Sequence, residues 1–273
     1  MKFKGINKLF DLSGKVIVLT GSAGLLGSQY ADILSDAGAK LVLVDTNSKQ
    51  NNKLKQKLNN KYHTNPVSVD TDITSKNEVK ELANNLNKKF GHIDGLINNA
   101  FLNHAKQQSK NGKNSFEDFP LDVWDKSLEL NLTAVFFCCQ EFGKIMVRQK
   151  KGVIVNVSSI YGISGADQRI YGSSKLNSPV SYATSKGGIV NLTKYLAAYW
   201  HSKNVRVNTL TLGGVQDNSY QNKEFIKNYS KKTILGRMAK KEDYKGAILF
   251  LISDASSYMT GSNLIIDGGW TAW

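Results

Sequence analysis

Tyr182 and Lys186 stand four residues apart in a stretch whose apolar pattern predicts a helix. Side chains with this spacing share one face of a helix, so the ammonium group can lie near the phenol. A nearby cation stabilises phenolate and lowers the pKa of a tyrosine from about 10 towards working pH. The pair therefore has the chemistry of a general acid–base for an alcohol or a carbonyl.

Tyr171 and Lys175 repeat this spacing upstream, so the spacing alone does not choose between two pairs. Pro179 follows Lys175 closely, and a proline disfavours helical geometry in the residue before it. Ser178 and Pro179 instead predict a helix start, with Ser178 as the N-cap and Pro179 at the first helical position. That helix carries the downstream pair in its first two turns, which favours the downstream pair as the catalytic one. Tyr171 then falls in an inserted loop, 160–178, near the substrate mouth.

A glycine-rich turn, residues 20–27, follows the first apolar run and precedes a helix. Glycines let a backbone turn tightly and approach a pyrophosphate, which amides at a helix N-terminus can bind. Asp45 ends the second apolar run, where a carboxylate can accept hydrogen bonds from the adenosine ribose hydroxyls. The same carboxylate would repel a 2′-phosphate. The two features together predict a dinucleotide site that prefers NAD to NADP.

Two further loops belong to the same predicted edge. Asp72 follows the third strand candidate, next to Ile73, and could contact an adenine. Asn98, Asn99 and Ala100 follow the fourth, where an asparagine can bond exposed backbone between strands. Either loop could equally be plain turn chemistry.

Short β-branched runs alternate with longer helical patterns along nearly the whole chain. This alternation predicts an α/β fold with a parallel sheet covered by helices on both faces. Right-handed crossovers then give a doubly wound sheet of about seven strands, with the ligand crevice at the carboxyl ends of the strands. The expected strands are 16–20, 40–45, 67–69, 95–98, 153–158, 205–210 and 264–267, and the expected helices lie near 25–37, 49–61, 75–89, 122–148, 179–202 and 242–252.

The composition suits one soluble domain spanning residues 1–273. Hydrophobic residues make up 41% of the chain, and with only three prolines there is no proline-rich linker to divide it. The first ten residues lack the apolar run of a signal peptide, and no uninterrupted apolar run reaches the ~18 residues of a membrane helix. Cys138 and Cys139 are adjacent, which favours core residues over a disulfide framework or a metal motif. We expect a cytoplasmic protein without a metal site.

The net charge of +14 has two interpretations. Most lysines are scattered through helical stretches, as on solvated faces. A field that attracts an anionic substrate is the alternative. No aromatic-interleaved basic cluster supports a nucleic-acid partner.

In order along residues 12–270, these motifs resemble the short-chain dehydrogenase/reductase family, which has a Rossmann-type fold. The resemblance implies that Tyr182 exchanges a proton with the substrate oxygen while hydride moves to or from the nicotinamide. It implies that Lys186 lowers the pKa of Tyr182 and binds the nicotinamide ribose, that Ser159 polarises the substrate oxygen, and that Asn131 holds a water of the proton relay. A strand-end cap and a helix-bonding asparagine are the structural alternatives for the last two. The motifs that carry the resemblance are the 20–27 turn, Asp45, Asp72, Asn98-Asn99-Ala100, Asn131, Ser158-Ser159, Tyr182 with Lys186, Arg206-Val207-Asn208 and Asp267-Gly268-Gly269. The cofactor contacts that the resemblance implies are Gly21, Gly24, Leu26, Gly27, Asp45, Asp72, Ile73, Asn99, Ala100, Tyr182, Lys186, Gly213 and Val215.

The sequence departs from the family pattern at four places. Leu25 stands where the middle glycine of the turn is usual, and Phe101 replaces a glycine, so a bulky ring would shape the floor of the site. Leu212 stands where a proline normally precedes Gly213. The interval from Ser159 to Tyr182 exceeds the common one, which is consistent with the inserted loop.

The insertion and several short motifs resemble a bacterial branch associated with flagellin glycosylation and surface-polysaccharide sugars. That branch implies a phosphorylated or nucleotide-linked amino sugar as substrate. The alternatives are a reductase of a carrier-linked 3-oxoacyl group and, from another class, a catalytically silent NAD-binding regulator. The family also implies a homotetramer, or a dimer, formed through the long helices. The motifs that carry the branch resemblance are Ser178-Pro179-Val180, Leu235-Gly236-Arg237-Met238 and Gly268-Gly269-Trp270-Thr271-Ala272-Trp273.

Overall fold

Seven short strands form one parallel sheet in the computed structural model, which describes residues 4–102, 115–174, 176–219 and 221–273. Along the sheet the strands are ordered β3-β2-β1-β4-β5-β6-β7, and every neighbouring pair is parallel. The strands are β1 (Val16–Thr20), β2 (Lys40–Val44), β3 (Val67–Val69), β4 (Gly95–Asn98), β5 (Gly152–Ser159), β6 (Val205–Leu212) and β7 (Asn263–Ile266).

The central strands are apolar on both faces because helices cover both sides of the sheet. All five residues of β1 are buried, as are all but the first residue of β2. Near-continuous apolar runs of this kind are typical of parallel strands. The strand order reverses between β1 and β4, and ligands of doubly wound sheets bind outside the carboxyl ends of the strands at such a point.

Two apolar layers hold the helices against the sheet. One layer packs α4, α6 and α7 onto the first face, and the other packs α2, α3 and α9 onto the second. Both cysteines are buried in α6. The helices are α1 (Lys4–Phe10), α2 (Leu25–Asp36), α3 (Ser48–Tyr62), α4 (Lys76–Phe90), α5 (Leu121–Leu128), α6 (Ala134–Gln149), α7 (Val180–Tyr199), α8 (Lys223–Ser230) and α9 (Lys245–Ile252).

The continuous helical run Leu121–Gln149 joins α5 to α6 through a widened π turn, Glu129–Thr133. Among the described residues, this run alone is long and apolar enough by length and composition to cross a membrane. However, 56% of its most apolar window is buried inside the fold. Packing of α6 in the first apolar layer accounts for that hydropathy.

The predicted fold class, a doubly wound parallel sheet of about seven strands, is confirmed. Each predicted strand is present within two residues of its expected bounds, and two short helices, α1 and α8, were not predicted. The predicted cap of α7 is wrong by one residue. The helix begins at Val180, and Pro179 precedes it with an extended ψ of 142°. Pro179, and not Ser178, occupies the N-cap position, and no side chain caps the helix. The backbone N–H of Ser178 donates to the side-chain oxygen of Gln168, and the carbonyl of Ser178 accepts from the side-chain amide of Gln168.

The predicted insertion between β5 and α7 contains two short 3-10 turns. They are Ile160–Gly162 and Gln168–Ser174. The second turn contains Tyr171, so the tyrosine of the upstream Tyr171/Lys175 pair lies in the insertion, as predicted. Lys175 lies outside the described residues.

Candidate active site

A cavity of about 730 Å³ opens at the carboxyl ends of the strands. Three of the four predicted catalytic residues, Ser159, Tyr182 and Lys186, line it. Twelve of the thirteen predicted cofactor contacts also line it: Gly21, Gly24, Leu26, Asp45, Asp72, Ile73, Asn99, Ala100, Tyr182, Lys186, Gly213 and Val215.

The glycine turn forms one end of the cavity. Gly21 has a left-handed φ of 64°, and a Cβ there would lie 2.7 Å from Cα of Ala100. Gly24 caps α2 without a side chain, so the first turn of the helix can approach a ligand closely. Gly27 does not line the cavity, contrary to its prediction as a contact. It is buried in α2, where a Cβ would overlap the carbonyl of Gly21, so its role is to let the helix pack on the turn.

Asn99 ties the glycine turn to β4. Its side-chain amide donates to the carbonyl oxygens of Thr20, at 3.1 Å, and Gly21, at 3.0 Å. The hydroxyl oxygen of Thr20 in turn accepts the backbone N–H groups of Asn99 and Ala100. This is the inter-strand backbone bonding predicted for an asparagine here. Asn98, by contrast, is buried behind the cavity, where it donates to the side chain of Asn156.

Asp45 lies just beyond β2, and its carboxylate accepts the backbone N–H groups of Ala23 and Asn47, both at 2.9 Å. A carboxylate has about four acceptor sites, so the group retains capacity for ribose hydroxyls. On the opposite side of the turn, the hydroxyl of Ser22 donates to Asn51 at 2.7 Å. Sequence reasoning missed the buried Asn51, because α3 is so polar that its single buried amide does not stand out.

Asp72 and Ile73 border the cavity from the loop after β3. One carboxylate oxygen of Asp72 accepts both the N–H group and the hydroxyl of Thr74. Part of this carboxylate is therefore engaged in hydrogen bonds within its own turn, which is the alternative role that the sequence also allowed.

The catalytic candidates meet where β5 ends and α7 begins. Tyr182 lies in the first turn of α7, and the ammonium nitrogen of Lys186, one turn later, lies 5.8 Å from its ring centre. Lys186 donates to the carbonyl of Val157 at 3.0 Å, and Ser158 donates to the carbonyl of Lys186 at 2.8 Å. These two bonds fix the start of α7 to the end of β5.

Burial lowers the pKa of the Lys186 ammonium to about 8. Only 4% of this residue is exposed, because its side chain packs at the wall of the cavity and reaches from α7 to the carbonyl of Val157 in β5. Removing an ammonium group from water disfavours its charged form. This lysine therefore titrates much closer to neutral pH than a surface lysine.

Ser159 ends β5, and its side-chain oxygen accepts the N–H of Tyr161 at 3.3 Å. An acceptor bond of this kind leaves the hydroxyl proton available for donation to a substrate oxygen. The structure shows the cap that was the structural alternative for Ser159, and its polarising role remains a prediction.

Asn131 does not line the cavity. It is fully buried in the π turn of Glu129–Thr133, and its side-chain oxygen accepts the N–H of Leu102 at 2.8 Å. Leu102 does line the cavity. Asn131 thus fixes the first residues after β4 from one layer behind, and its water-holding role remains a prediction. Isolated π turns inside α-helices occur frequently at functional sites.

Phe101 forms part of the cavity floor beside the catalytic pair. Its ring centre is 6.5 Å from that of Tyr182 in an edge-on arrangement, and 5.7 Å from the ammonium nitrogen of Lys186. An edge-on ring pair is a favourable aromatic geometry. Phe101, which replaces the glycine usual in the family, therefore packs against the predicted catalytic tyrosine.

An aromatic wall borders the cavity, and of its members only Tyr171 was predicted near the substrate mouth. Tyr171 packs on Phe225 with ring centres 5.2 Å apart, and Tyr229 packs on Trp270 at 4.3 Å. The hydroxyl of Tyr229 also accepts the N–H of Gly214, in the loop after β6. The side chains come from the insertion, α8 and the C-terminal segment, so no local pattern could have grouped them.

The described lining of the cavity does not share the strong positive charge of the chain. Among its described lining residues, three are carboxylates, Asp45, Asp72 and Asp217, and one, Lys186, is a cation. Amides and hydroxyls make up much of the remaining polar lining, including Asn177, Gln221 and Asn222 from the described ranges.

Known proteins resemble this chain over nearly its whole length. Residues 21–271 match the family model described as enoyl-(acyl carrier protein) reductase. An NAD-dependent glycerol dehydrogenase of Listeria innocua is 33% identical, covering 99% of both chains. The post-translational flagellin modification protein A of Campylobacter coli is 31% identical, covering 95% of this chain and 99% of that protein.

A crystal structure of a short-chain dehydrogenase from Leptospira borgpetersenii with bound NAD+ superposes with a TM-score of 0.83 at 33% identity. The match covers 99% of this chain and 97% of that one. Together with the family model, it shows that the chain is an enzyme of the short-chain dehydrogenase/reductase family.

Proposed function

We propose that this protein is an NAD-dependent oxidoreductase that interconverts a secondary alcohol and a ketone on a sugar or polyol. One observation carries the proposal: Tyr182, Lys186 and Ser159 line the same cavity as the glycine turn. Acid–base groups and a dinucleotide-binding turn in one cavity are what hydride transfer to or from a carbonyl carbon requires.

The glycine turn fits a dinucleotide. A Cβ at Gly21 would lie 2.7 Å from Cα of Ala100 and one at Gly24 would lie 3.2 Å from the carbonyl oxygen of Gly21, so glycines are what permit this tight turn, and the first turn of α2 borders the cavity. Asp45 would hold the adenosine ribose, and Lys186 the nicotinamide ribose. When bound, the nicotinamide supplies or accepts the hydride.

The protein's own groups would move the proton. In the oxidising direction Tyr182, as phenolate, accepts the proton of the substrate hydroxyl, and in the reducing direction it returns it. The buried ammonium of Lys186 stabilises the phenolate, and attraction between charges is strong where water is excluded. The hydroxyl of Ser159 donates to the substrate oxygen and so polarises the carbonyl. Asn131 keeps the floor in place by holding Leu102.

Asp45 should select the cofactor. We expect Asp45→Ala to raise the dissociation constant of NAD about tenfold, because a charge-assisted bond to ribose is lost. The effect on NADP should be smaller, because the variant also removes repulsion of the 2′-phosphate. Calorimetric titration with both cofactors measures this.

The ratio of the two dissociation constants is the diagnostic, because Asp45 also holds the N–H of Ala23 and its loss can weaken both cofactors. Asp45→Asn is the matched control, since it keeps one acceptor oxygen without the charge. An unchanged NAD to NADP ratio in both variants would remove Asp45 from cofactor selection.

The substrate is the less determined half of the proposal. The flagellin-modification relative and the net charge of +14 favour the phosphorylated or nucleotide-linked amino sugar that the resemblance implies. Among the described lining residues, Asp45 and Asp72 belong to the cofactor end, which leaves Asp217 and Lys186 as the charges on the substrate side. This balanced pair of charges favours an uncharged sugar or polyol, as does the glycerol dehydrogenase relative. We propose the uncharged class first, since a substrate meets the cavity charge at contact distance.

A turnover screen that follows reduced-nicotinamide absorbance separates these substrates. It pairs NAD and NADP with glycerol and longer polyols, then with free, phosphorylated and nucleotide-linked hexoses and amino sugars. Turnover of uncharged polyols or sugars with NAD is the expected result. Turnover confined to phosphorylated or nucleotide-linked sugars would transfer the assignment to that class.

An acetoacetyl thioester belongs in the same screen, because a 3-oxoacyl-[acyl-carrier-protein] reductase of Thermotoga maritima is 31% identical over 94% of this chain. Turnover of the thioester alone, with NADPH, would overturn the sugar proposal in favour of the 3-oxoacyl alternative. NAD binding with no turnover on any compound would favour the silent regulator.

We also propose that the protein is one domain, works in the cytoplasm and assembles as a homotetramer. Aromatic side chains exposed on α6 and α7 support the assembly: Phe136 is 43% exposed, Tyr195 62% and Tyr199 66%. Light scattering of the purified protein would measure the mass, and a monomeric mass would contradict the assembly.

A further inference from the structure

Two segments that are far apart in the sequence meet along one wall of the cavity. One is the 3-10 turn Gln168–Ser174 of the insertion, and the other is α8. Tyr171 and Ser174 of the first line the cavity, as do Phe225 and Tyr229 of the second. The position of this wall, and with it the width of the cavity on this side, therefore depends on what joins the two segments.

Glu224 joins them at the rim. One of its carboxylate oxygens accepts the N–H of Ser173 at 3.3 Å and the hydroxyl of Ser173 at 2.9 Å. One turn further along α8, the side chain of Asn228 donates to the carbonyl of Ile170 at 3.4 Å. We call the contact of Glu224 with Ser173 the rim clasp.

The rim clasp requires a glycine at position 172 for two independent reasons. Its φ of 54° with a ψ of −131° is backbone geometry essentially restricted to glycine. In addition, a Cβ on Gly172 would overlap the carboxylate of Glu224. Without a side chain at this position, the carboxylate can lie directly over the backbone and reach the next residue. The turn is thus shaped to receive Glu224.

The clasp lies beside the aromatic contact that closes the wall. Tyr171 is two residues before Ser173, and its ring packs on Phe225, the residue after Glu224. Holding Ser173 against Glu224 therefore holds Tyr171 against Phe225. If the carboxylate were released, the described contacts that still hold the insertion would include the ring contact, the amide bond of Asn228, the buried side chain of Ile170 and the ion pair of Asp167 with Lys232 at 2.9 Å.

We propose that Glu224 is a positioning residue that holds the insertion against α8 and thereby sets the width of the substrate entrance. The substrate half of this inference rests on the proposed function, and the clasp itself does not. Glu224 acts through Tyr171 and Phe225, and it leaves the cofactor end and the catalytic pair unchanged.

Hydrogen exchange tests the clasp without any substrate. We expect Glu224→Ala to accelerate amide exchange in Gln168–Ser174 about fivefold, because a charge-assisted tie to the backbone is lost. Gly172→Ala should act in the same direction by displacing the carboxylate. Glu242→Ala, which removes an exposed glutamate outside the cavity, is the charge-matched control. Unchanged exchange in Glu224→Ala would overturn the proposal, whatever the substrate is.

Kinetics test the entrance. On the best substrate of the screen, Glu224→Ala should raise KM about three- to tenfold with kcat within about twofold, since positioning and not chemistry is lost. The dissociation constant of NAD should stay unchanged. Glu224→Gln, which keeps an acceptor oxygen, should recover part of the KM, and Ser173→Ala should give an intermediate value. Faster exchange with an unchanged KM, or a fall in kcat alone, would overturn the positioning role.

The two kinds of failure are distinguishable. If the unaltered protein turns over none of the sugars and polyols, the proposed function fails and the exchange experiment alone decides the clasp. If turnover is found but Glu224→Ala matches Glu242→Ala in both measurements, the proposed function stands and the clasp fails.

Discussion

Replacing Tyr182 with phenylalanine is expected to lower kcat about a thousandfold, the range that a positioned general acid–base contributes. The ring and its edge-on contact with Phe101 remain, so the cavity keeps its shape. The dissociation constant of NAD should change no more than a few-fold. A stopped-flow or steady-state assay of reduced nicotinamide, with a parallel binding titration, measures both.

Tyr171→Phe is the matched control, because Tyr171 belongs to the rival pair and lines the same cavity. It should keep kcat within a few-fold, with any effect appearing in KM. If Tyr171→Phe is the inactive variant and Tyr182→Phe turns over normally, the catalytic pair has been assigned to the wrong tyrosine.

Replacing Lys186 with methionine is expected to abolish turnover and to stabilise the cofactor-free protein at pH 7. Burial holds the pKa of Lys186 at about 8 in the folded chain, against 10.5 for an ordinary lysine. That difference corresponds to a destabilisation on the order of 3 kcal/mol at pH 7. Loss of the bond to Val157 offsets about 1 kcal/mol of the gain. At pH 7 the free energy of unfolding of the variant should therefore be about 2 kcal/mol higher than that of the parent protein. This corresponds to a rise of roughly 4 °C in Tm.

The sign of the pH dependence follows from the two protonation states. Between pH 8 and 10.5 the unfolded chain holds a proton on Lys186 that the folded chain has released. The lysine therefore destabilises the fold fully below pH 8, and its penalty disappears as the pH rises towards 10.5. The stability advantage of Lys186→Met should shrink over the same window. Thermal unfolding at pH 7 and pH 10, without cofactor, compares the two proteins.

Lys194→Met is the matched control, since Lys194 is an exposed lysine on the same helix. Its substitution should change Tm little at either pH and leave kcat unchanged. A Lys186→Met variant that is less stable than the parent at pH 7 would contradict the desolvation argument. It would indicate that the bond to Val157 outweighs the cost of burial.

The sequence by itself determined the order of strands and helices and most of the cofactor end. Strand periodicity and glycine turns are local properties, because apolar runs and left-handed backbone depend on neighbouring residues. The turn at Gly21 and Gly24 and the inter-strand asparagine Asn99 were found for that reason. Pro179 chose correctly which tyrosine lies on α7, although the helix begins one residue later than predicted.

Tertiary structure alone decided the substrate half. Helix α8 has only eight residues, which is shorter than the window of about 11 residues over which helical periodicity is read from a sequence. Tyr171, Phe225 and Trp270 lie far apart in the chain and meet only because the insertion, α8 and the C-terminal segment close over one cavity. Contacts between segments so distant in sequence leave no local pattern.

Charge shows the same division. The sequence fixes the net charge of +14, which counts every lysine equally. Which charges a ligand meets depends on the side chains that face the cavity, and among the described ones these are Asp45 and Asp72 at the cofactor end and Asp217 and Lys186 elsewhere in the lining. Folding also gives Lys186 its pKa of about 8, since the sequence shows a lysine but not its removal from water. Composition therefore determines the protein's overall charge, and packing determines the electrostatics of its site.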